Sequence, residues 1–342
     1  MDKSESVLES VFFRFSVMIV VLLYFVFGSY WLYVTSRYTP HIISDFPRLS
    51  ELLREYWWIV TYYSSELFLS AGIVLRWIAG VIALYAALML LMKGKNALSL
   101  IRKKVGVAIF LEGLYVLTYA PSAFLGFVYP IAANMGLWYF EPAPPWTIVL
   151  LVNGLACTAM VVLIVPPIFK LWSKIHSGSI KELARWACVT GVAYLFAMFW
   201  WNYTMAWVAT LIYWPERAQP GIEILHNPVA AASFVLTALG LLFVALYALK
   251  VLSPAISGSL EKLKLQKLGY LMLFFSCYFI IMLVLYVVAG GYSAQPTTWM
   301  EIIGPHNPDL WCISLILPAA YLILKCGKNT QLQEPATSKA SR

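Results

Sequence analysis

Glu223, His226, Glu301 and His306 stand in two stretches that are spelled alike. GIEILHNPVAA (221–231) and WMEIIGPHNPDLW (299–311) each carry Glu-Ile, then His-Asn-Pro within a few residues, then a long apolar run. Asn before Pro is a preferred helix start, with Asn as N-cap and Pro at the first helical position. That accounts for Asn227-Pro228 and Asn307-Pro308. It accounts for neither the histidines nor the glutamates, which are three residues apart in the first copy and five in the second. Two imidazoles and two carboxylates held at one depth can take protons from a quinol as it is oxidised. They can also ligate a metal such as zinc, iron or copper, or hold a b-type haem through two axial histidines. The expected reacting set is therefore Glu223, His226, Glu301 and His306, with His226 and His306 as ligands of haem iron or another metal.

A second set lies inside apolar sequence. Charges at membrane depth are costly and mark function by default, and two stand out, Arg76 and Glu112. Arg76 lies nine residues into one apolar run, about 13 Å deep at 1.5 Å per residue. Glu112 lies seven residues into the next run from its opposite end, about 19 Å below the same surface of a ~30 Å hydrocarbon core. The mismatch of about 6 Å is within reach of an arginine side chain, so an ion pair near the midplane is expected. Tyr115 and Tyr119 share the Glu112 face at i+3 and i+7, and Asn153 and Asn202 fall near the same depth. Such a polar core either locks helix packing or lines a cavity that conducts protons or holds a polar head.

The elements that must position these residues are membrane helices. The chain of 342 residues is 61% hydrophobic and 12% charged, with a mean hydropathy of +0.77, whereas soluble domains carry about a quarter charged residues. Runs of about 20 nearly uncharged residues predict eight spans, at 11–35, 67–92, 105–131, 146–169, 187–213, 228–250, 267–290 and 308–325. The fold expected is an all-α polytopic membrane protein, its helices in four antiparallel hairpins within one domain, 1–326. A polar cytoplasmic tail, 327–342, is expected to be disordered.

Lys and Arg give the orientation. With the N-terminus cytoplasmic, all but five of the 24 fall in inner segments; the exceptions are Arg37, Arg48, Arg54, Arg217 and the intramembrane Arg76. That asymmetry predicts both termini in the cytoplasm of a cell membrane. The +8 net charge then faces the anionic inner leaflet, and no nucleic-acid partner is needed. The first apolar stretch is longer than the core of a signal peptide and is expected to stay as a span. The first outer segment, 36–66, is expected to hold an interfacial helix, with Leu49, Leu52, Leu53, Tyr56 and Val60 on one stripe and Glu51, Arg54 and Glu55 opposite. His41 and His176 are expected in loops.

Several classes are excluded by what the sequence lacks. There is no Walker loop, no H-E-x-x-H, no aspartate-rich prenyltransferase motif and no C-x-x-C among the five cysteines. EILH leading into an apolar helix resembles the Glu-x-x-His motif of haem A synthases, which are also eight-span proteins with cytoplasmic ends. By that resemblance Glu223 and His226 match the motif, and His306 matches a ligand on the last helix. The second and fourth spans carry no histidine, and Asn227 stands where arginine is usual. The match covers about four residues and so concerns a motif rather than a family. The reading that follows is a membrane subunit of a respiratory or other redox complex, handling quinol, quinone or b-type haem near the outer face. Other subunits of that complex and the lipid bilayer would be its partners. The alternatives are a transporter or channel with a polar midplane site, or a non-catalytic scaffold subunit.

Overall fold

A computed structural model describes residues 11–55, 57–134, 144–178, 182–183, 185–194, 196–197, 243, 246–254, 256–257, 264–288, 320–321 and 324. Apart from a few turn positions the described residues are helical, and no strand occurs among them. The helices are α1 (Val11–Glu55), α2 (Trp57–Lys93), α3 (Leu98–Leu117), α4 (Ala120–Asn134), α5 (Pro144–Ser177) and α6 (Leu265–Val288), with further helical runs at 185–194 and 246–254. Among the described residues, four stretches are long and apolar enough to cross a membrane: Phe13–Arg37, Leu67–Lys93, Leu98–Val128 and Gly154–Ile175. They coincide with the first four expected spans. Much of the expected spans 187–213 and 228–250, most of 308–325 and all of the tail 327–342 lie outside the described residues.

Large apolar side chains point outward in stripes. On α1, Phe15, Ile19, Leu22, Val26 and Tyr33 are exposed, and on α2, Ile78, Val81, Tyr85 and Leu88. A soluble monomer rarely exposes so continuous an apolar face. Lipid contact explains it.

Two expectations are corrected. The separate interfacial helix is not separate: α1 runs unbroken for 45 residues, about 68 Å, and α2 begins at Trp57. No glycine occurs between Gly28 and Gly72, and the periodic stripe from Leu49 continues the helix instead of starting a new one. His41 and His176 likewise lie on α1 and α5, not in loops.

The third span, expected to be continuous, is broken between α3 and α4. Pro121 has no N–H to offer the Leu117 carbonyl. The turn tightens before it, with Thr118 N donating to Tyr115 O at 3.0 Å and Tyr119 N to Val116 O at 3.2 Å. Regular spacing resumes where Ala123 N donates to Tyr119 O at 2.9 Å. Thr118 Oγ1 also donates to Tyr115 O at 2.6 Å. The break presses on α2 at Gly72, where a Cβ would collide with Thr118 Oγ1. Beyond it α4 lies almost backbone to backbone on α5, since a Cβ on Gly154 would sit 2.9 Å from Gly126 Cα, the close approach small residues allow between membrane helices.

At the other end of the bundle, where α2 and α5 finish among lysines, one device recurs. Arg14 Nη1, near the start of α1, donates to Leu91 O at 3.1 Å, at the end of α2. Arg102, near the start of α3, donates through Nε to Ile175 O and through Nη2 to Gly178 O at 3.1 Å, at the end of α5. Arg185, at the start of the 185–194 run, donates through Nη2 to Ile256 O at 2.5 Å. Each cation caps the unpaired carbonyls at the negative end of the helix that returns beside its own. Gly94, at φ +56°, ends α2 in the left-handed conformation that glycine adopts without penalty.

Candidate functional site

Arg76 and Glu112 form the expected ion pair. Arg76 Nε lies 3.6 Å from Glu112 Oε1, and each side chain is 14% exposed. Breaking a buried pair leaves an uncompensated charge, so such pairs persist where hydrogen bonds satisfy what remains. Glu112 is well supplied. Tyr24 OH, from α1, donates to Oε2 at 2.5 Å, and Tyr194 OH, from the 185–194 run, donates to Oε1 at 2.9 Å. Short O–H···O⁻ contacts of this kind are among the strong hydrogen bonds of proteins.

Arg76 is held as closely. Nη1 donates to Tyr115 OH at 3.3 Å, and Tyr115 OH lies 2.7 Å from Tyr119 OH, with either able to donate. The guanidinium carbon sits 5.2 Å from the Tyr24 ring centroid and 4.8 Å from that of Tyr115, so two aromatic faces stabilise the cation. Four elements thus meet at one carboxylate and one guanidinium. The hydroxyl chain continues through Tyr119 to the α3–α4 break, and Tyr115 packs in the core with Val116, Met160, Ile164 and Ala197.

A cavity of about 550 Å³ opens beside the cluster, within the range of small-molecule sites. Its polar wall is Tyr24, Arg76, Glu112, Thr190 and Tyr194. The rest is apolar, dominated by Ala79, Ala83, Ala86 and Ala87, which fall on the Arg76 face of α2 at helical spacing. It extends toward the basic end as far as Leu90 and Ile101. Arg76 and Leu90 are 14 residues apart, about 21 Å along the helix. Two polar groups on the wall are buried without a hydrogen-bond partner among the described residues, Arg76 Nε and Thr190 Oγ1. Buried polar atoms are nearly always hydrogen-bonded, so the Thr190 hydroxyl has capacity to spare, and so does Arg76 Nε beyond its 3.6 Å ion-pair contact with Glu112.

Of the residues singled out in the sequence, Arg76, Glu112, Tyr115 and Tyr119 are brought together. Asn153 belongs to α5, but its side chain, with Asn202, Glu223, His226, Glu301 and His306, lies outside the described residues. Sequence reasoning missed Tyr24, Tyr194, Thr190 and the alanine stripe. A signal was there for the tyrosines. Tyr24 follows Arg14 by ten residues, Glu112 follows Arg102 by ten, and Tyr194 follows Arg185 by nine. Counting nine or ten residues on from these three arginines reaches all three groups around Arg76.

Comparison with known proteins gives no further guide: no family model matches the chain, and no curated protein or solved structure is significantly similar to it.

Proposed function

We propose that the protein is a membrane carrier that binds a small molecule in the cavity at the Arg76–Glu112 level. The observation that carries this reading is the cavity itself, walled by a satisfied ion pair on one side and small apolar residues on the other. The broken third span adds support, because carriers commonly place their substrate site beside interrupted helices. In this reading the chain has eight spans in four hairpins, with both termini in the cytoplasm of the cell membrane. The support is the Lys/Arg asymmetry and the arginine cap found at the same end of three hairpins.

A carrier's site must reach an aqueous phase. With the five native cysteines replaced, Ala83→Cys in sealed vesicles should react with an impermeant thiol reagent from one side. No reaction from either side would sink the carrier reading.

The twice-used His-Asn-Pro spelling favours a second reading, a redox-complex subunit handling quinol or b-type haem through His226 and His306. The purified protein should then show a reduced-minus-oxidised haem band or reversible quinone binding. His226→Ala and His306→Ala should each abolish it, and Asn227→Ser, which keeps a good N-cap, should not. Retention of the signal in both alanine variants removes this reading.

A further inference from the structure

We infer that the cavity takes an uncharged amphiphile, its hydrogen-bond-accepting head at Arg76 and Thr190 and its apolar body along the alanine stripe of α2 toward the basic end. This rests on the cavity being a binding site and names what binds there. Charge balance argues first. Among the described residues, Arg76 and Glu112 are the only charged ones on the wall, and they neutralise each other at 3.6 Å. An anionic or cationic head would leave a net charge at membrane depth, which is costly. Hydrogen bonding argues second. The Glu112 carboxylate is already engaged by Tyr24 and Tyr194, so a donor head would have to compete with those two hydroxyls for it. The Thr190 hydroxyl is buried with no hydrogen-bond partner among the described residues, and Arg76 Nε, 3.6 Å from Glu112, makes an ion-pair contact but no hydrogen bond, so both can donate to a carbonyl-type acceptor. Thr190 lies one helical turn from Tyr194, so the two donors belong to one end of the cavity. Shape argues third. Beyond that end the described wall includes Ala83, Ala86, Ala87, Leu90 and Ile101, and among the described lining residues no further polar side chain is there to pair a second polar group.

Three probes that share a decyl chain separate the heads: a decyl-substituted benzoquinone (neutral, acceptor only), decanoate (anionic) and decylammonium (cationic). Binding is measured in nanodiscs by equilibrium titration of the full-length protein. The quinone should bind saturably and at least tenfold tighter than either ion. Thr190→Val, which removes the hydroxyl at equal size, should weaken it about tenfold, a loss of about 1.4 kcal/mol. Ala83→Phe, which fills the slot, should abolish binding of every probe. Tighter binding of decanoate or decylammonium overturns the neutral-head assignment and leaves the cavity reading standing, as does a Thr190→Val protein that binds the quinone normally. If Ala83→Phe binds all three as the parent does, or the parent binds none, the cavity is not the site and both readings fall.

Discussion

Arginine is used in two ways in this molecule. At the basic end Arg14, Arg102 and Arg185 donate to backbone carbonyls at helix ends. In the interior of the helix bundle Arg76 pairs with a carboxylate between two tyrosine rings. The two settings are linked by one register. Arg14, Arg102 and Arg185, each near the start of its helix, precede Tyr24, Glu112 and Tyr194 by nine or ten residues and so set the level at which those groups arrive. Similarly spaced positions on three helices thus converge on Arg76, yet only one of them is a carboxylate. A repeated scaffold brings the groups to one level, and a single unrepeated residue makes that level chemically distinct.

The contrast is tested most severely by removing the carboxylate. Glu112→Gln leaves the Arg76 cation buried without a counter-charge, which costs about 3–5 kcal/mol, whereas replacing both partners by apolar residues is close to neutral. In equilibrium unfolding from mixed micelles, Glu112→Gln should therefore be far less stable than Arg76→Met with Glu112→Leu. A double variant as unstable as the sum of the two singles would show that the residues act independently.

How much of this was legible beforehand follows the cost of each group. A charge inside an apolar run is conspicuous because it is expensive, so Arg76 and Glu112 could be paired by counting rise per residue, and Tyr115 followed at i+3. Tyrosine carries no such signature, since it is at home in spans, at interfaces and in cores alike, and Tyr24 and Tyr194 passed unnoticed. The break at Thr118–Tyr119 was written in Pro121, but membrane helices tolerate proline without breaking, as Pro166 and Pro167 inside α5 do. The alanine stripe reads equally as a close helix contact or a cavity wall. Only the positions of α1, α3 and α5 around it decide. The long α1 was hidden because a stripe of apolar residues reports that a helix exists, not where it began.

A milder change sharpens the same comparison. Tyr194→Phe and Tyr24→Phe each remove one hydrogen bond to an ionised carboxylate and keep the ring, a loss of about 1.5–3 kcal/mol. Both act on Glu112, so the pair should depart from additivity. Tyr24→Phe also keeps the aromatic face under Arg76, so its loss isolates the hydroxyl. If both single variants unfold with the parent, the hydroxyls do not hold the carboxylate, and only the Arg76–Glu112 attraction remains to explain the cluster.

The smallest effects belong to the basic end. Arg102 reaches the last carbonyls of α5 with Nε and Nη2, placing its cation at the negative end of that helix. At an exposed terminus this is worth about 0.3–1 kcal/mol and is screened by salt. Arg102→Met should therefore cost several times less than Glu112→Gln, and the difference from the parent should shrink in high salt. Arg102→Lys separates the two contributions, since it keeps the charge but loses the fork that spans Ile175 and Gly178. A lysine variant equal to the parent assigns the cap to charge; one equal to methionine assigns it to the paired hydrogen bonds. Arg14 caps a different helix, so Arg14→Met should add to Arg102→Met within about 0.5 kcal/mol. A cap variant as damaging as Glu112→Gln would erase the distinction between the two settings, because an arginine at a helix end would then matter as much as one sealed in the interior of the helix bundle.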